Sequence, residues 1–502
     1  MKKTLLLTLL LLLPLFLFAE SYKIVDAEYN VTGAGFKFLG KTREYPLRHQ
    51  FSLDTKSVFN SREALENYIK NYKQSLVSSR YFDEISVNYE ANPSDTADLY
   101  NVILLVDIQD SHHLIVMPYP KYSSNSGLSL KLKAKDTNFL GSLNSMNTEL
   151  NLRLDKNEFK SGFSFSFDYP FSIGPLDAVF VNDYSINYVL GDDSGIEWET
   201  ETGLELSHSF GRIGLSFGIF QYTFKDISYK KYDDEYYFRE KFNVGMPIKI
   251  ATLPNFTSIT YGPSFSINWN WDFNGINKEN TSLLGPEISL SHSLSNGKIT
   301  WNDNFRKGYK LSLGNSFVYN FSKKDLVPSI TFEGQFFWNY KANDQEIWNR
   351  FGLCSNLIVF HYFDLPDNKN KYGKAIGDYL RGILDDNYFG NEKPYGTAST
   401  GIVLNLDLPH HVFTAYFPKE ILSFELQFSP FFDMALVYDR KTERLFAFED
   451  GYYCAGIELL VYPLKWSSVT VRASLGVDLR SNLFVEGLMK NKEIFIGLGL
   501  QY

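Results

Sequence analysis

"GLSLKLKAK", residues 127–135, alternates without a break. Leu128, Leu130, Leu132 and Ala134 fall on one side; Ser129, Lys131, Lys133 and Lys135 fall on the other. Period two is the pattern of a strand with one apolar and one polar face. It recurs in "TELNLRLD" (148–155), "GFSFSFDY" (162–169), "SITFEGQFFWNY" (329–340) and "EIFIGLGLQY" (493–502). A soluble sandwich would use strands of about five or six residues. Many segments here keep alternating for roughly 9–15 residues, the length that crosses a bilayer at a tilt. Strand edges cannot be left bare in hydrocarbon, so such strands must close into a barrel. Read residue by residue, the pattern marks 13 segments between 112 and 362 and five more after 400, at 401–408, 421–439, 452–463, 467–479 and 493–502.

Composition agrees with this reading. The chain has 502 residues, 44% hydrophobic and 17% aromatic, with 33 Tyr and 43 Phe. A net charge of −9 gives nucleic acid no general attraction. Two cysteines, Cys354 and Cys454, make neither a disulfide framework nor a metal cluster. Lys2 and Lys3 followed by "TLLLTLLLLLPLFLFAE" have the layout of an export signal over 1–19, with Ala19 at the cleavage point. No later stretch is apolar for about 20 residues, so no membrane helix is expected.

Residues 20–110 differ from the rest. An opening strand, "YKIVDAEYNV", precedes the amphipathic helix "NSREALENYIKNYKQSLVSS", with Asn60 and Glu63 in a capping-box pattern. Leu65, Tyr68, Ile69, Tyr72 and Leu76 share its apolar face. Two alternating strands follow, and a short helix is expected near 51–58. The expected order is β-α-α-β-β.

Several motifs then line up along the chain. "DTNFLGS" (136–142) resembles the first hairpin turn, D-N-[FW]-L-G-[TS], of the BamA/TamA superfamily of outer-membrane assembly barrels. "YLRGI" (379–383) is similar to its V-R-G-[FY] motif, through Arg381 and Gly382. "PFFDMALVYD" (430–439) resembles the F-D-x-G segment, with Ala435 in place of glycine, and "YCAGIELLVYPL" resembles the next strand, with Gly456 matching. The resemblance implies a small α+β POTRA domain at 20–110 in the periplasm. It also implies a transmembrane antiparallel barrel of 16 strands over 111–502, in the bacterial outer membrane. Gly497, Leu500 and the terminal Tyr502 fit the family's barrel targeting signal and place the lateral seam at the last strand.

The segment 364–400 interrupts the strands with a long polar loop. In 421–439, Phe431, Asp433, Ala435 and Val437 share one face, and the opposite face is more apolar, so Asp433 points inward. An inward carboxylate needs a partner, and Arg381 offers a permanently charged fork. Gly382 would let the loop turn tightly beside it, and Glu458, also inward, is a second acceptor. An exposed arginine on a surface loop is the other reading.

No nucleophile elbow, zinc-protease motif or phosphate loop is present. The chain is expected to be no enzyme, with no cofactor and no metal. His112–His113 and His410–His411 are neighbours on opposite faces, and the acidic run 231–240 reads as a solvated loop. The expected function is a non-enzymatic insertase. Its partners would be unfolded outer-membrane protein clients and the lipid bilayer, with periplasmic or lipoprotein accessory subunits. A passive porin or surface-antigen barrel, or a two-partner secretion translocator, is the alternative.

Overall fold

The computed structural model describes the chain apart from residues 1–19, 35–39, 97, 124–126, 155–158, 191–193, 226–235, 254–256, 273–285, 342–349, 367–371, 382–396, 419–421, 440–442, 480–491 and 501–502. The export signal, Gly382, Tyr502 and half of the acidic run 231–240 therefore lie outside the described residues.

The N-terminal domain contains β1 (Ser21–Thr32), α1 (Glu44–Gln50), β2 (Val58–Phe59), α2 (Arg62–Ser79), β3 (Phe82–Pro93) and β4 (Leu99–Asp110). Its sheet has the order β2-β1-β4-β3. All five expected face residues of α2 are buried against it. Two local expectations are corrected. The first helix lies at 44–50 rather than 51–58, because the Asp54 carboxylate accepts from the amides of Lys56 and Ser57 and holds a turn there. The cap of α2 is Ser61, whose hydroxyl accepts from the Ala64 amide, rather than Asn60.

The barrel begins with β5 (Leu114–Ser123), β6 (Gly127–Asp136), β7 (Met146–Leu154), β8 (Phe159–Ile173), β9 (Leu176–Leu190), β10 (Gly195–Phe210) and β11 (Ile213–Lys225). It continues with β12 (Tyr236–Gly245), β13 (Ile248–Thr252), β14 (Ser258–Trp271), β15 (Glu287–Asn302), β16 (Phe305–Asn320), β17 (Asp325–Lys341) and β18 (Arg350–Tyr362). The long loop holds the short β19 (Lys374–Ala375) and β20 (Thr397–Ala398). Then come β21 (Thr400–Asp407), β22 (His410–Ala415), β23 (Phe424–Asp439), β24 (Arg444–Leu445), β25 (Tyr452–Pro463), β26 (Val471–Asp478) and β27 (Lys492–Leu498).

These strands form a closed ring. β12 and β13 pair the same neighbours and are halves of one span. β21 and β22 are halves of another, broken at Pro409. β23 pairs directly with β25, so β24 lies in their hairpin outside the ring. Among the described residues the ring therefore has 18 spans, 13 before the long loop and five after it. The expected 16 is corrected to 18. None of the 13 is spurious: each pairs on both sides, and β15 and β16 alone share 16 residue pairs. The span expected at 401–408 also continues past its proline to Ala415.

The expected phases hold. Leu130, Leu132, Leu150 and Leu152 are exposed on the outer face, while Lys131 and Lys133 face the lumen and pair with Glu149. An outward apolar band on a closed ring suits hydrocarbon. Among the described residues no disulfide joins Cys354, on β18, to Cys454, on β25; both are buried.

The D-T-N-F-L-G-S stretch is the joint between domain and barrel. The Thr42 amide and hydroxyl donate to the Asp110 carboxylate, and Asn138 Nδ2 donates to Thr42 Oγ1 at 2.6 Å. Asn138 N donates to Asp136, which also meets His113 Nδ1 at 2.5 Å. Burial raises the Asp110 carboxyl above its ordinary value, and the two bonds from Thr42 oppose this. His112 packs tilted against Trp466, ring centres 5.0 Å apart, while His113 meets Asp136, so the two neighbouring imidazoles face different partners.

Leu143, from the turn after β6, is buried in the core of the N-terminal domain. That core is otherwise its own, so residues 20–110 should fold alone. Expressed separately, the fragment should show helical circular dichroism and a cooperative melt, weakened by about 2–5 kcal/mol for the cavity that Leu143 leaves. A disordered fragment would contradict a self-contained domain.

Candidate functional site

The described part of the long loop enters the barrel. Ile376 and Leu380 are buried against Ile358, Phe360, Val403, Ala435 and Val437, all on the inner wall. This packing carries Arg381 to the centre of the lumen wall, where only 3% of it is exposed. The surface-loop reading of Arg381 is thereby set aside.

Asp433 is fully buried and takes three bonds from Arg381. The Arg381 amide and Nε both donate to Oδ2 at 2.9 Å, and Nη2 donates to Oδ1 at 2.6 Å. The expected pair is thus present as a bidentate fork with an added backbone bond. Nη1 extends the cluster to Asp407 at 2.6 Å and to Glu458 at 3.2 Å. Glu458 also meets Arg472 Nη1 at 3.2 Å. One guanidinium therefore bridges β21, β23 and β25, and Arg472 ties in β26.

The stacking beneath is equally specific. Arg381 Cζ stands 3.7 Å above the centre of the Phe431 ring. Gly456 lies opposite Phe431, and a Cβ there would stand 2.0 Å from Leu475 O and 2.5 Å from the Phe431 ring. Gly456→Val should therefore push Phe431 off the guanidinium and cost about 1–3 kcal/mol, read as a lower unfolding temperature on unboiled gels. An unchanged midpoint would mean that the ring is not held by this contact.

Asp407, Arg472 and the role of Phe431 were missed in the sequence. Alternation would have found Asp407, since Val403, Asn405 and Asp407 are buried on one face of β21 while Ile402, Leu404 and Leu406 are only half-buried. Among the described residues no group of histidine, cysteine or acid side chains is placed to hold a metal.

The second feature is the meeting of the last strand with the first. Gly497 pairs with Arg472 inside β27, while Gly499 lies beyond it and donates its amide to Thr470 O. Leu500 turns inward to line a small lumen cavity. Among the described residues β27 and β5 share three residue pairs, Glu493–Ser123, Ile494–Tyr122 and Phe495–Lys121. β5 and β6 share ten. The seam ladder stops where Pro120 begins, and Pro118 follows two residues on. Proline has no amide hydrogen, and both prolines have the same parity, so they withhold donors from one neighbour. Because the ladder to β6 runs unbroken, that neighbour is the seam partner.

No protein-family model matches the chain, and no curated protein matches it. Solved structures similar to it include CdiB from Acinetobacter baumannii, at 10% identity and a TM-score of 0.46, over 95% of this chain and 74% of that one. BamA from Haemophilus ducreyi lacking POTRA domains 1-3 is similar at 13% identity and a TM-score of 0.37, over 95% and 84%. CdiB from Escherichia coli is similar at 10% identity and 0.45, over 96% and 76%.

Proposed function

We propose that the chain is an outer-membrane barrel that passes unfolded client strands into the bilayer through the seam between β5 and β27. The POTRA-like domain lies in the periplasm in this reading. The observation that carries the proposal is the three-pair seam, ended by prolines. A client strand needs partners for its backbone before it can enter lipid, and β5 before Lys121, which among the described residues has no ladder to β27, offers them. β3, an edge of the N-terminal sheet whose partner among the described residues is β4, offers a first strand-addition surface. The clients are other outer-membrane barrels, and the free energy comes from their folding, without enzymatic chemistry. The described part of the loop supports this over a passive pore, since Ile376, Leu380 and Arg381 are packed and bonded against the inner wall.

Depletion of the protein in its host should lower the outer-membrane levels of other barrels while leaving periplasmic proteins unchanged. Normal barrel levels together with loss of one secreted protein would favour a dedicated translocator. Normal levels of both would leave the porin reading.

A further inference from the structure

The hairpin between β15 and β16 does not stay in the barrel wall. Gly297 lies opposite Lys310 and Gly308 opposite Ile299, so the two glycines sit two positions apart on the facing strands, with φ of +121° and +117°. L side chains rarely adopt this backbone, and a Cβ would meet Tyr309 O at 2.3 Å from Gly297 or Lys298 O at 2.1 Å from Gly308. One such residue on each strand, two positions apart, bends both strands over the same stretch. Beyond the bend, the tip reaches across the lumen mouth on the side of the N-terminal domain. Asp303 meets Arg350 on β18 at 2.5 Å. Asn304 donates to Glu425 and accepts from Gln427, both on β23, five spans away round the ring. Phe305 is 3% exposed.

The N-terminal domain holds the tip from below. Arg80 caps α2 in the left-handed conformation. Its guanidinium lies 4.3 Å from the centre of the Trp301 ring and 5.3 Å from that of Tyr462. Nη2 donates to Asn304 Oδ1 at 2.9 Å, and Nε donates to Ser467 O. Gln74 donates to Trp301 O, and the Trp301 amide donates to Ser78 Oγ. Behind the tip is a cavity of ≈30 Å³, lined by Cys354, Glu458 and Leu500 among others. That is room for about one water.

We infer that the inward-bent tip, Trp301–Phe305, is a displaceable plug of the lumen, latched by Arg80 so that movement of the N-terminal domain releases it. Among the described residues the pairing of β15 with β14 ends at Ser295 and that of β16 with β17 at Gly308, so withdrawal of the tip leaves the ladders of the wall intact. Its release also frees Leu500 and, with it, the end of β27. The plug stands whatever the seam admits.

Cys354 is a native reporter of the plug. In the full-length Cys454→Ser protein, reconstituted in lipid nanodiscs, a trimethylammonium methanethiosulfonate should label Cys354 slowly. Arg80→Ala removes the latch, and Gly308→Val forbids the bend. Each should speed labelling at least about tenfold by raising the population of the open mouth, while the protein remains a folded barrel on unboiled gels. Labelling at the parent rate in both variants would overturn the plug. Faster labelling in Arg80→Ala with the parent rate in a folded Gly308→Val would assign the seal to the domain and overturn the hairpin's role. Should Gly308→Val not fold, Asn304→Ala, which removes both a latch bond and a wall bond, takes its place with the same expected outcome.

Discussion

Arg381→Ala should destabilise the barrel more than any other single change to the interior. The guanidinium is buried and faces three carboxylates, those of Asp433, Asp407 and Glu458. Removing it leaves all three without their shared cation, although Arg472 still reaches Glu458. Breaking a buried pair from one side costs about 3–5 kcal/mol, because the remaining charge is uncompensated. Asp433→Ala is milder, since Arg381 keeps Asp407 and Glu458; a loss of roughly 1.5–3 kcal/mol is expected for its charge-assisted bonds. The double variant should lose less than the sum, because Asp433 is no longer stranded. Arg381→Lys should not rescue, since an ammonium cannot donate in parallel to Asp433 while reaching Asp407. Unfolding midpoints of the purified protein on unboiled gels give each value. Additive losses, or a parent-like Arg381→Ala, would show that the loop is not held by this cluster.

Locking the seam should abolish activity and leave the fold intact. Tyr122 and Ile494 are directly opposite across β5 and β27. Cysteines at these two positions, in a Cys354→Ala/Cys454→Ala background, should form a disulfide on oxidation. Locked protein should lose at least about tenfold in client insertion, because a closed ladder offers no backbone partners, and reductant should restore it. A gentler version replaces Pro118 and Pro120 with valine. Two donors return, each worth about 0.5–1.5 kcal/mol when bonded, so the seam should lengthen, stability should rise and insertion should slow. Full activity in the oxidised, locked protein would place the client path elsewhere.

How much of this was legible follows from the range of each interaction. Strands were readable because an apolar outer face and a polar inner face impose period two on every span. All 18 spans carry the pattern, and the number 16 comes from the family resemblance alone, where the residues themselves are the better guide. Asp433 and Glu458 were readable because the phases of β23 and β25 are clean. Asp407 was passed over even though β21 alternates as plainly, and Pro409 hid the second half of that span. The plug left no readable trace. Gly297 and Gly308 mean something only once the register sets them two positions apart on facing strands, and "SSRYF" does not disclose that Arg80 will meet Trp301, 221 residues later. Contacts between a domain and a distant hairpin tip obey no period.

A client that enters lipid along β5 before Lys121 must pass Met117 and Pro118, so a photoreactive residue in place of either, irradiated while a client barrel is being inserted, reads that path. A crosslink between β5 and the client is expected in the open protein, and its loss when the Tyr122–Ile494 positions are joined by a disulfide. Equal crosslinking in the locked protein, or client adducts only from lumen positions such as Asn356, would rule this path out.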